Sequence, residues 1–210
     1  VEVAIEGFAQ RIRRTPTDTI SQHATALDII VREARRMAGI VDNVKTFGRE
    51  GPFEPRPVDA LLPLDNACTL VAAQLRDRGI VVERDTPPGL PRVLADASRM
   101  QQVFLNLMLN ARDALSDLPH GMRRQLTLRV GATPSRVCYE IEDTGAGVSP
   151  DVRARMFDPF FSTKPTGSGT GLGLSIIYAI VADHGGEIRH EDPPAGGARF
   201  VVELPVYVAD

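Results

Sequence analysis

The feature that most constrains the fold of this chain is a change of hydrophobic pattern at "REGPFEPRPVD", residues 49–59. Before this segment the apolar residues recur at helical spacing, whereas after it helical and alternating patterns follow one another. The segment contains three prolines and one glycine, which interrupt helices and strands alike. We therefore predict two regions, a helical one at residues 1–50 and a mixed α and β one at residues 51–210.

The N-terminal region carries apolar residues that repeat every seven positions in two interleaved series. They are Ile20, Leu27, Ala34 and Val41 in the first series and Ile30, Met37 and Val44 in the second. Such a stripe, within residues 19–48, is typical of a helix in a bundle. A shorter stripe of Val1, Ile5, Phe8 and Ile12 precedes it, and "TPTD" (15–18) separates the two, so we predict an antiparallel helical hairpin. Because one hairpin cannot bury the stripe, we expect a second copy to complete a dimeric four-helix bundle; docking on the rest of the chain is the alternative.

Charge and composition argue against several classes of function. The formal net charge is -3 at pH 7, which argues against a nucleic-acid binder whose affinity rests on a basic surface. No apolar run approaches the ~18 residues of a membrane span, so we expect no membrane contact by this chain. The isolated cysteines, Cys68 and Cys138, favour a reducing, cytoplasmic location. Because the chain begins without Met and in mid-pattern, we expect it to be part of a longer protein, which could itself be membrane-anchored.

The second region is predicted to contain helices and strands. A helix at residues 97–117 has one broad apolar face, formed by Met100, Val103, Phe104, Leu107, Met108, Ala111 and Leu115. The segments "QLTLRVGA" and "RVCYEIED" alternate apolar and polar residues and are predicted to pair as a hairpin. Other patterns predict a helix that includes Leu64, Cys68, Val71 and Leu75, a strand at 79–85, a helix at 172–184, and closing strands at "EIRHED" and "ARFVVELPV".

The glycine-rich segment "GSGTGLGLSII" (167–177) points to phosphate chemistry. It does not fit G-x-x-x-x-G-K-[ST], and the third glycine of G-x-G-x-x-G would fall on Leu172 or Leu174. What remains is G-x-G-x-G (Gly169, Gly171 and Gly173) at the start of a helix, where unpaired N–H groups and the helix dipole attract phosphate. On these residues alone, a mobile linker is an equal alternative.

Two other segments supply polar groups that suit a nucleotide. Asp143 ends a predicted strand in "EIEDTGAGVSP", where a carboxylate can accept a hydrogen bond from an exocyclic amine such as that of adenine. A β-turn built on Asp-Thr-Gly is the alternative. Asn106 and Asn110 lie four residues apart on the long helix and so share a face. Their amide oxygens suit Mg²⁺, which binds mainly through substrate phosphates; capping of a neighbouring loop is the alternative for each.

In this order, the segments resemble the catalytic, ATP-binding domain of two-component sensor histidine kinases. "QQVFLNLMLNARDAL" is similar to the N-box of that family and "EDTGAGV" to its first glycine box. "MFDPFFSTK" resembles its phenylalanine box, and "GTGLGLSIIYAIVADHGGEI" its second glycine box. The resemblance runs from about residue 56 to residue 206 and implies an α/β sandwich with a mixed sheet. With the helical hairpin in front, the expected fold class is α+β.

The resemblance implies a role for each site residue. Asp143 would bind the adenine amino group, and Gly145 and Gly147 would shape the floor of its pocket. Asn110 would hold Mg²⁺, while Asn106 would support the metal or the phosphates. A lid over the triphosphate would consist of Lys164, Thr170 and the backbone of Gly169, Gly171, Leu172 and Gly173. The residues that would anchor the lid by packing are Phe157, Phe160 and Phe161.

Two positions bear on the type of activity. Many histidine kinases have Lys or Arg three residues after the second N-box Asn, whereas this chain has Asp113, an acidic residue that occurs in one branch of the family. Because Asp113 is acidic at this nucleotide-binding position, Lys164 and Arg112 would have to neutralise the phosphate charge. The related gyrase, mismatch-repair and chaperone ATPases place a Glu, the general base for water, where Asn106 stands. Because Asn cannot take a proton, kinase activity is favoured over hydrolysis.

The histidine that such a kinase phosphorylates is not recognisable in this chain. The four histidines, His23, His120, His184 and His190, all lie outside an H-[ED]-x-x-x-P box. The stretch "IEGFAQRIRR" (5–14) resembles the part of the first helix that follows this box. We therefore expect the acceptor a few residues before Val1, or else lost from the native protein. Either way, this chain would bind MgATP without phosphorylating itself.

The function implied is transfer of the γ-phosphoryl of ATP to a histidine and then to an aspartate of a response-regulator receiver domain. The kinase would act as a homodimer joined through its N-terminal helices. Alternatives from other classes are a non-catalytic dimeric scaffold or phosphotransfer protein that docks response regulators, an ATPase of the same superfamily, and a serine-directed kinase.

Overall fold

The computed structural model of this chain contains two compact units. The residues it describes are 2–14, 23–31, 34, 53–164 and 170–209. The "TPTD" segment, Gly169 and the part of the predicted 19–48 helix beyond residue 34 lie outside these ranges. No helix in the described ranges combines the length and the hydropathy that crossing a membrane requires.

The first unit comprises Val1–Gly51 and Pro159–Gly173. Its helices are α1 (Glu2–Arg14) and α2, which is described over residues 23–31. On α1, the predicted apolar stripe of Ile5, Phe8 and Ile12 is half-buried, while the residues between them are mostly exposed. Leu27 on α2 is 39% exposed. Of the predicted 19–48 helix, residues 23–31 and 34 are helical, and residues 19–22, 32–33 and 35–48 lie outside the described ranges. The antiparallel pairing and the four-helix bundle remain predictions.

The second unit, Pro52–Asp158 with Leu174–Asp210, is built on a mixed five-stranded sheet. Its strands, in spatial order, are β2 (Val81–Asp85), β4 (Gln125–Ala132), β5 (Arg136–Asp143), β7 (Ala198–Pro205) and β6 (Glu187–Glu191). β2 and β4 are parallel, whereas the other neighbours are antiparallel. This confirms both the predicted β4–β5 hairpin and the mixed sheet.

Two short strands form a separate sheet that the sequence pattern does not predict. β1 (Arg56–Val58) pairs antiparallel with β3 (Val93–Ala95). β1 lies inside the proline-rich segment at residues 49–59, so three residues of that segment form a strand. Pro57 is tolerated because each strand of a two-stranded sheet has an edge that needs no ladder hydrogen bond.

Three of the four helices described in the second unit, all except α5 (Pro150–Arg153), carry buried residues. The four are α3 (Leu62–Asp77), α4 (Ala97–Ser116), the single turn α5 and α6 (Gly173–Asp183), which begins in the first unit. α4 packs between α3 and the strands β4 and β5, and all seven residues of its predicted apolar face are buried. Tyr139 on β5 reaches this core, where it contacts Phe104 and donates a hydrogen bond to the carbonyl of Ala60.

The start of α4 is fixed by a histidine from the far end of α6. Asp96 caps the helix, its side chain accepting from the N–H groups of Ser98 and Arg99. The N–H of Asp96 itself donates to Nε2 of His184, 3.0 Å away, while Nδ1 of His184 lies 2.7 Å from the carbonyl of Ile180. His184 must therefore carry its proton on Nδ1 and be neutral, and burial lowers its pKa accordingly. This contact holds the helix that carries Asn106 and Asn110.

Candidate nucleotide-binding site

The best-defined polar group of the candidate site is the carboxylate of Asp143. It ends β5, where every second side chain is buried, and it is only 5% exposed. The N–H of Gly145 donates to its Oδ1 at 2.8 Å. Burial raises the pKa of Asp143 to about 6, since the favourable effects of the backbone N–H groups of Gly145 and Ala198 offset only part of the desolvation. A buried, oriented carboxylate therefore lies at the strand end, as the sequence predicts.

The turn after Asp143 is held by a residue that the sequence reasoning did not single out. The hydroxyl of Thr144 accepts from the N–H of Gln125 at 3.1 Å and donates to the carbonyl of Arg123 at 2.9 Å. The N–H of Thr144 donates to the carbonyl of Gln125, 3.1 Å away. These three bonds fasten the turn to the start of β4. The Asp-Thr-Gly motif was a sufficient signal, because such residues pair with nearby backbone.

The two glycines of this turn have neighbours where side chains would be. A Cβ atom on Gly145 would lie 2.7 Å from Oδ1 of Asp143 and 3.1 Å from Cβ of Ala114 on α4. Gly147 has φ +78°, and its Cβ would lie 2.9 Å from the carbonyl oxygen of Gly197. The turn thus approaches α4 on one side and the β6–β7 loop on the other. The local bond from Gly145 to Asp143 is also that of an Asx-type turn, so the β-turn alternative describes the same backbone.

The polar residues of α4 flank its buried face. Asn106 and Asn110 are both half-buried, and no hydrogen bond among the described residues involves either amide side chain. Both amides are therefore available to a ligand, and loop capping does not account for them. Asp113, one turn further on, accepts from Nε of Arg112 at 2.8 Å. The same guanidinium also donates to Oε1 of Gln74, so Arg112 is already engaged by two protein groups.

The predicted lid residues all belong to the first unit. Gly171 has φ +67°, and its Cβ would lie 2.4 Å from the carbonyl carbon of Phe160. The N–H of Leu172 donates to Oγ1 of Thr170 at 3.4 Å. The side chain of Lys164 is exposed. Of the glycines predicted to cradle phosphate, Gly171 and Gly173 are described, whereas Gly169 lies outside the described residues.

The aromatic residues of the phenylalanine box behave differently from one another. Phe157 is half-buried and its ring centroid lies 5.3 Å from that of Tyr178 on α6. Phe161 is also half-buried. Phe160 is 77% exposed and has φ +66°, so the prediction that its ring anchors the lid by packing is wrong for this structure. What Phe160 contributes is backbone, which occupies the space beside Gly171.

A divalent ion would depend on the nucleotide for most of its ligands. No group of three His, Cys, Asp or Glu side chains in the described parts of the chain could hold a metal ion. An amide oxygen such as that of Asn110 fits Mg²⁺, which keeps waters and binds through substrate phosphates. The donors of the described residues are therefore compatible with MgATP.

The chain resembles known proteins in sequence. The family model described as histidine kinase-, DNA gyrase B-, and HSP90-like ATPase matches residues 95–208. The sensor histidine kinase ZraS of Klebsiella oxytoca is 35% identical over 205 residues, which cover 97% of this chain and 42% of that protein. The two-component sensor PprA of Pseudomonas aeruginosa is 36% identical over 81% of this chain, which spans only 19% of PprA.

Solved structures confirm the α+β fold with its mixed sheet. Full-length ShkA in complex with AMPPNP has a TM-score of 0.71 and 29% identity, over 91% of this chain and 40% of that one. Histidine kinase ThkA in complex with the response regulator protein TrrA has a TM-score of 0.77 and 25% identity, over 98% of this chain and 57% of that one. The resemblance predicted from the four motifs is thereby confirmed.

Proposed function

Because this chain belongs to the family of histidine kinase-, DNA gyrase B- and HSP90-like ATPases, we propose that it is the ATP-binding catalytic region of a two-component sensor histidine kinase. The observation that carries the proposal is the buried carboxylate of Asp143, oriented at the end of β5 next to the helix that bears Asn106 and Asn110. The likeness to ShkA, whose structure contains AMPPNP, supports ATP as the nucleotide.

Asp143 would select adenine. Its carboxylate accepts a hydrogen bond from an exocyclic amine, which adenine presents and guanine replaces at the same ring position by a carbonyl oxygen. Since Gly145 already holds Oδ1 and burial excludes most water, the carboxylate has a defined direction before the nucleotide arrives. Two acceptors facing each other in a buried site are strongly disfavoured, so ATP would bind in preference to GTP.

Asn110 and Asn106 would serve the triphosphate. Asn110 would hold Mg²⁺ through its amide oxygen, and Mg²⁺ bound with the phosphates would neutralise negative charge on the phosphoryl group being transferred. Lys164 would add a positive charge from the exposed lid segment. Asn106 offers no base to activate water, so the phosphoryl group would pass to a histidine: the new N–P bond forms as the bond from the γ-phosphorus to the bridging oxygen breaks and ADP leaves.

Two of the described histidines are poorly placed to accept the phosphoryl group. His184 and His190 have buried side chains, which makes them unsuitable as phosphoryl acceptors. We propose that the acceptor histidine precedes Val1 in the parent protein, that the N-terminal helices pair two copies, and that the phosphoryl group passes on to an aspartate of a cytoplasmic response regulator. The structure of ThkA with TrrA supports the last of these by similarity.

Two other functions are less well supported. An ATPase of the same superfamily would need a general base where this chain has Asn106. A scaffold that only docks response regulators would not need a buried carboxylate at Asp143 with two available amides on the adjoining helix.

The test is titration of MgATP and MgADP into the chain by calorimetry. We expect binding in the micromolar range that is lost in Asn110→Ala and in Asp143→Ala. Matched controls are Asn66→Ala, an exposed asparagine on α3, and Asp85→Ala, an exposed aspartate at the end of β2; both should bind as the unmutated chain does.

Failure of the folded, unmutated chain to bind either nucleotide would refute the proposal and favour the scaffold. If binding is seen, the chain extended upstream should form acid-labile phosphohistidine from ATP, and rapid release of inorganic phosphate instead would favour the ATPase.

A further inference from the structure

The loop between β6 and β7 closely approaches the backbone of Asp143. Gly197, at the end of this loop, has φ +89°. A Cβ atom built on Gly197 would lie 1.8 Å from the carbonyl oxygen of Asp143, 2.8 Å from its carbonyl carbon and 3.1 Å from Cα of Thr144. Real non-bonded contacts never approach 1.8 Å, so even one methyl group here must displace the end of β5.

The same glycine also supports the other side of the turn. Its carbonyl oxygen occupies the position 2.9 Å from where a Cβ of Gly147 would be. The next residue, Ala198, is paired with Asp143 in the sheet, and its backbone N–H helps to stabilise the charged carboxylate. Gly197 therefore lies between the two halves of the turn, directly before the residue that pairs with Asp143.

The far end of the loop is held more weakly. Asp192 pairs with Arg153 on α5 at 2.5 Å, but the two side chains are 55% and 41% exposed, so solvent screens the pair. The steric contact at Gly197 therefore decides where the loop sits against Asp143.

We infer that Gly197 is a positioning residue that keeps the Asp143 carboxylate aimed at the nucleotide base, and so sets the preference for adenine over guanine. The inference rests on the proposed function. Gly197 acts through the backbone of Asp143, because no side chain is present at this position to touch a ligand. A displaced carboxylate would no longer meet the adenine amine, nor would it be held against the guanine carbonyl, so affinity and discrimination would fall together.

The adjacent glycine provides a matched control. Gly196 has φ +85°, nearly that of Gly197, yet a Cβ built there meets no atom within 4 Å. Gly196→Ala and Gly197→Ala therefore impose the same left-handed backbone strain and differ only in the contact with Asp143. Dissociation constants of MgATP and MgGTP should be measured by calorimetry for both variants and for the unmutated chain, with the folded fraction taken from thermal unfolding.

We expect Gly197→Ala to weaken ATP binding by about tenfold or more and to bring the GTP-to-ATP ratio of dissociation constants towards one, while Gly196→Ala keeps the unmutated ratio. The ratio separates positioning from mere loss of stability, because unfolding lowers both affinities equally. An unchanged ratio in Gly197→Ala, or the same loss in Gly196→Ala, would overturn the inference.

If Gly197→Ala does not fold, Gly147→Ala is the second variant, because its methyl would lie 2.9 Å from the carbonyl oxygen of Gly197 and push that residue. It should partially lower the GTP-to-ATP ratio of dissociation constants. An unchanged ratio in this variant would also overturn the inference. Failure of the unmutated chain to bind ATP would instead refute the proposed function.

Discussion

The chain has two glycine-rich segments with proposed nucleotide roles, and their glycines differ in whether protein atoms exclude a side chain. In the turn of the second unit, Gly145 faces Oδ1 of Asp143 and Cβ of Ala114, which leave no room for a methyl group. Gly173, the first residue of α6, has nothing within 4 Å of its Cβ position and needs no positive φ. Packing explains the first glycine, whereas the proposed approach of a phosphate to the helix N-terminus would explain the second.

The largest effect is expected from Gly145→Ala. The added methyl must move either the Asp143 carboxylate or α4, so stability should fall by about 1–3 kcal/mol and ATP affinity by about a hundredfold. Urea unfolding and calorimetry check the two quantities separately. A variant that loses stability but binds ATP normally would show that this turn is purely structural.

Gly173→Ala should affect ATP affinity and stability differently. With open space at its Cβ, stability should stay the same or rise by up to about 1 kcal/mol, because alanine is the better helix former. ATP affinity should nevertheless fall, by about tenfold, as the methyl meets the phosphates. Gly131→Ala, which also has open space at its Cβ, is the control. Unchanged ATP affinity in Gly173→Ala would contradict a phosphate role for this helix start.

The pH dependence of binding tests the turn without a steric change. With a pKa of about 6, the ionised fraction of Asp143 should fall about fourfold between about pH 7.5 and pH 5.5, and ATP affinity with it. Because the folded pKa is raised, the nucleotide-free protein should show the opposite trend: the contribution of Asp143 to stability is present below about pH 4 and is lost as pH rises through 6. Asp143→Asn, measured by calorimetry over the same range, corrects for titration of ATP itself. Equal pH dependence in both proteins would remove Asp143 from adenine binding.

The smallest effect on binding is expected at the far end of α6. His184→Phe would leave the N–H of Asp96 without its acceptor. The free energy of unfolding should therefore fall by about 1–3 kcal/mol, with little change in ATP affinity. Because burial lowers the pKa of His184, its contribution to stability should be present above about pH 6.5 and be lost as pH falls through the depressed pKa. Thermal unfolding against pH, with the exposed His120→Phe as control, checks both expectations. Identical pH profiles for the two variants would show that His184 does not titrate as inferred.

Local patterns predicted much of the second unit. The apolar face of α4 and the alternation in β4 and β5 are visible in the sequence because burial repeats at the period of each element. Asp143 was identifiable for the same reason, as a carboxylate at the end of such a strand. Phe160 shows where motif reasoning stops: an aromatic residue in a packing motif is exposed, and its backbone carries the contact with Gly171.

The sequence by itself determined the longer helices and strands of the second unit, the buried face of α4 and the position of the carboxylate, because these depend on spacing along a few neighbouring residues. Only the tertiary structure decided that Gly197 lies against Asp143, that Arg112 is engaged by Gln74 and Asp113, and that a proline-rich segment pairs as β1. Most of these contacts join residues far apart in the chain, and each depends on how strands and helices pack. The periodic pattern of apolar residues within one helix or strand carries no information about that packing.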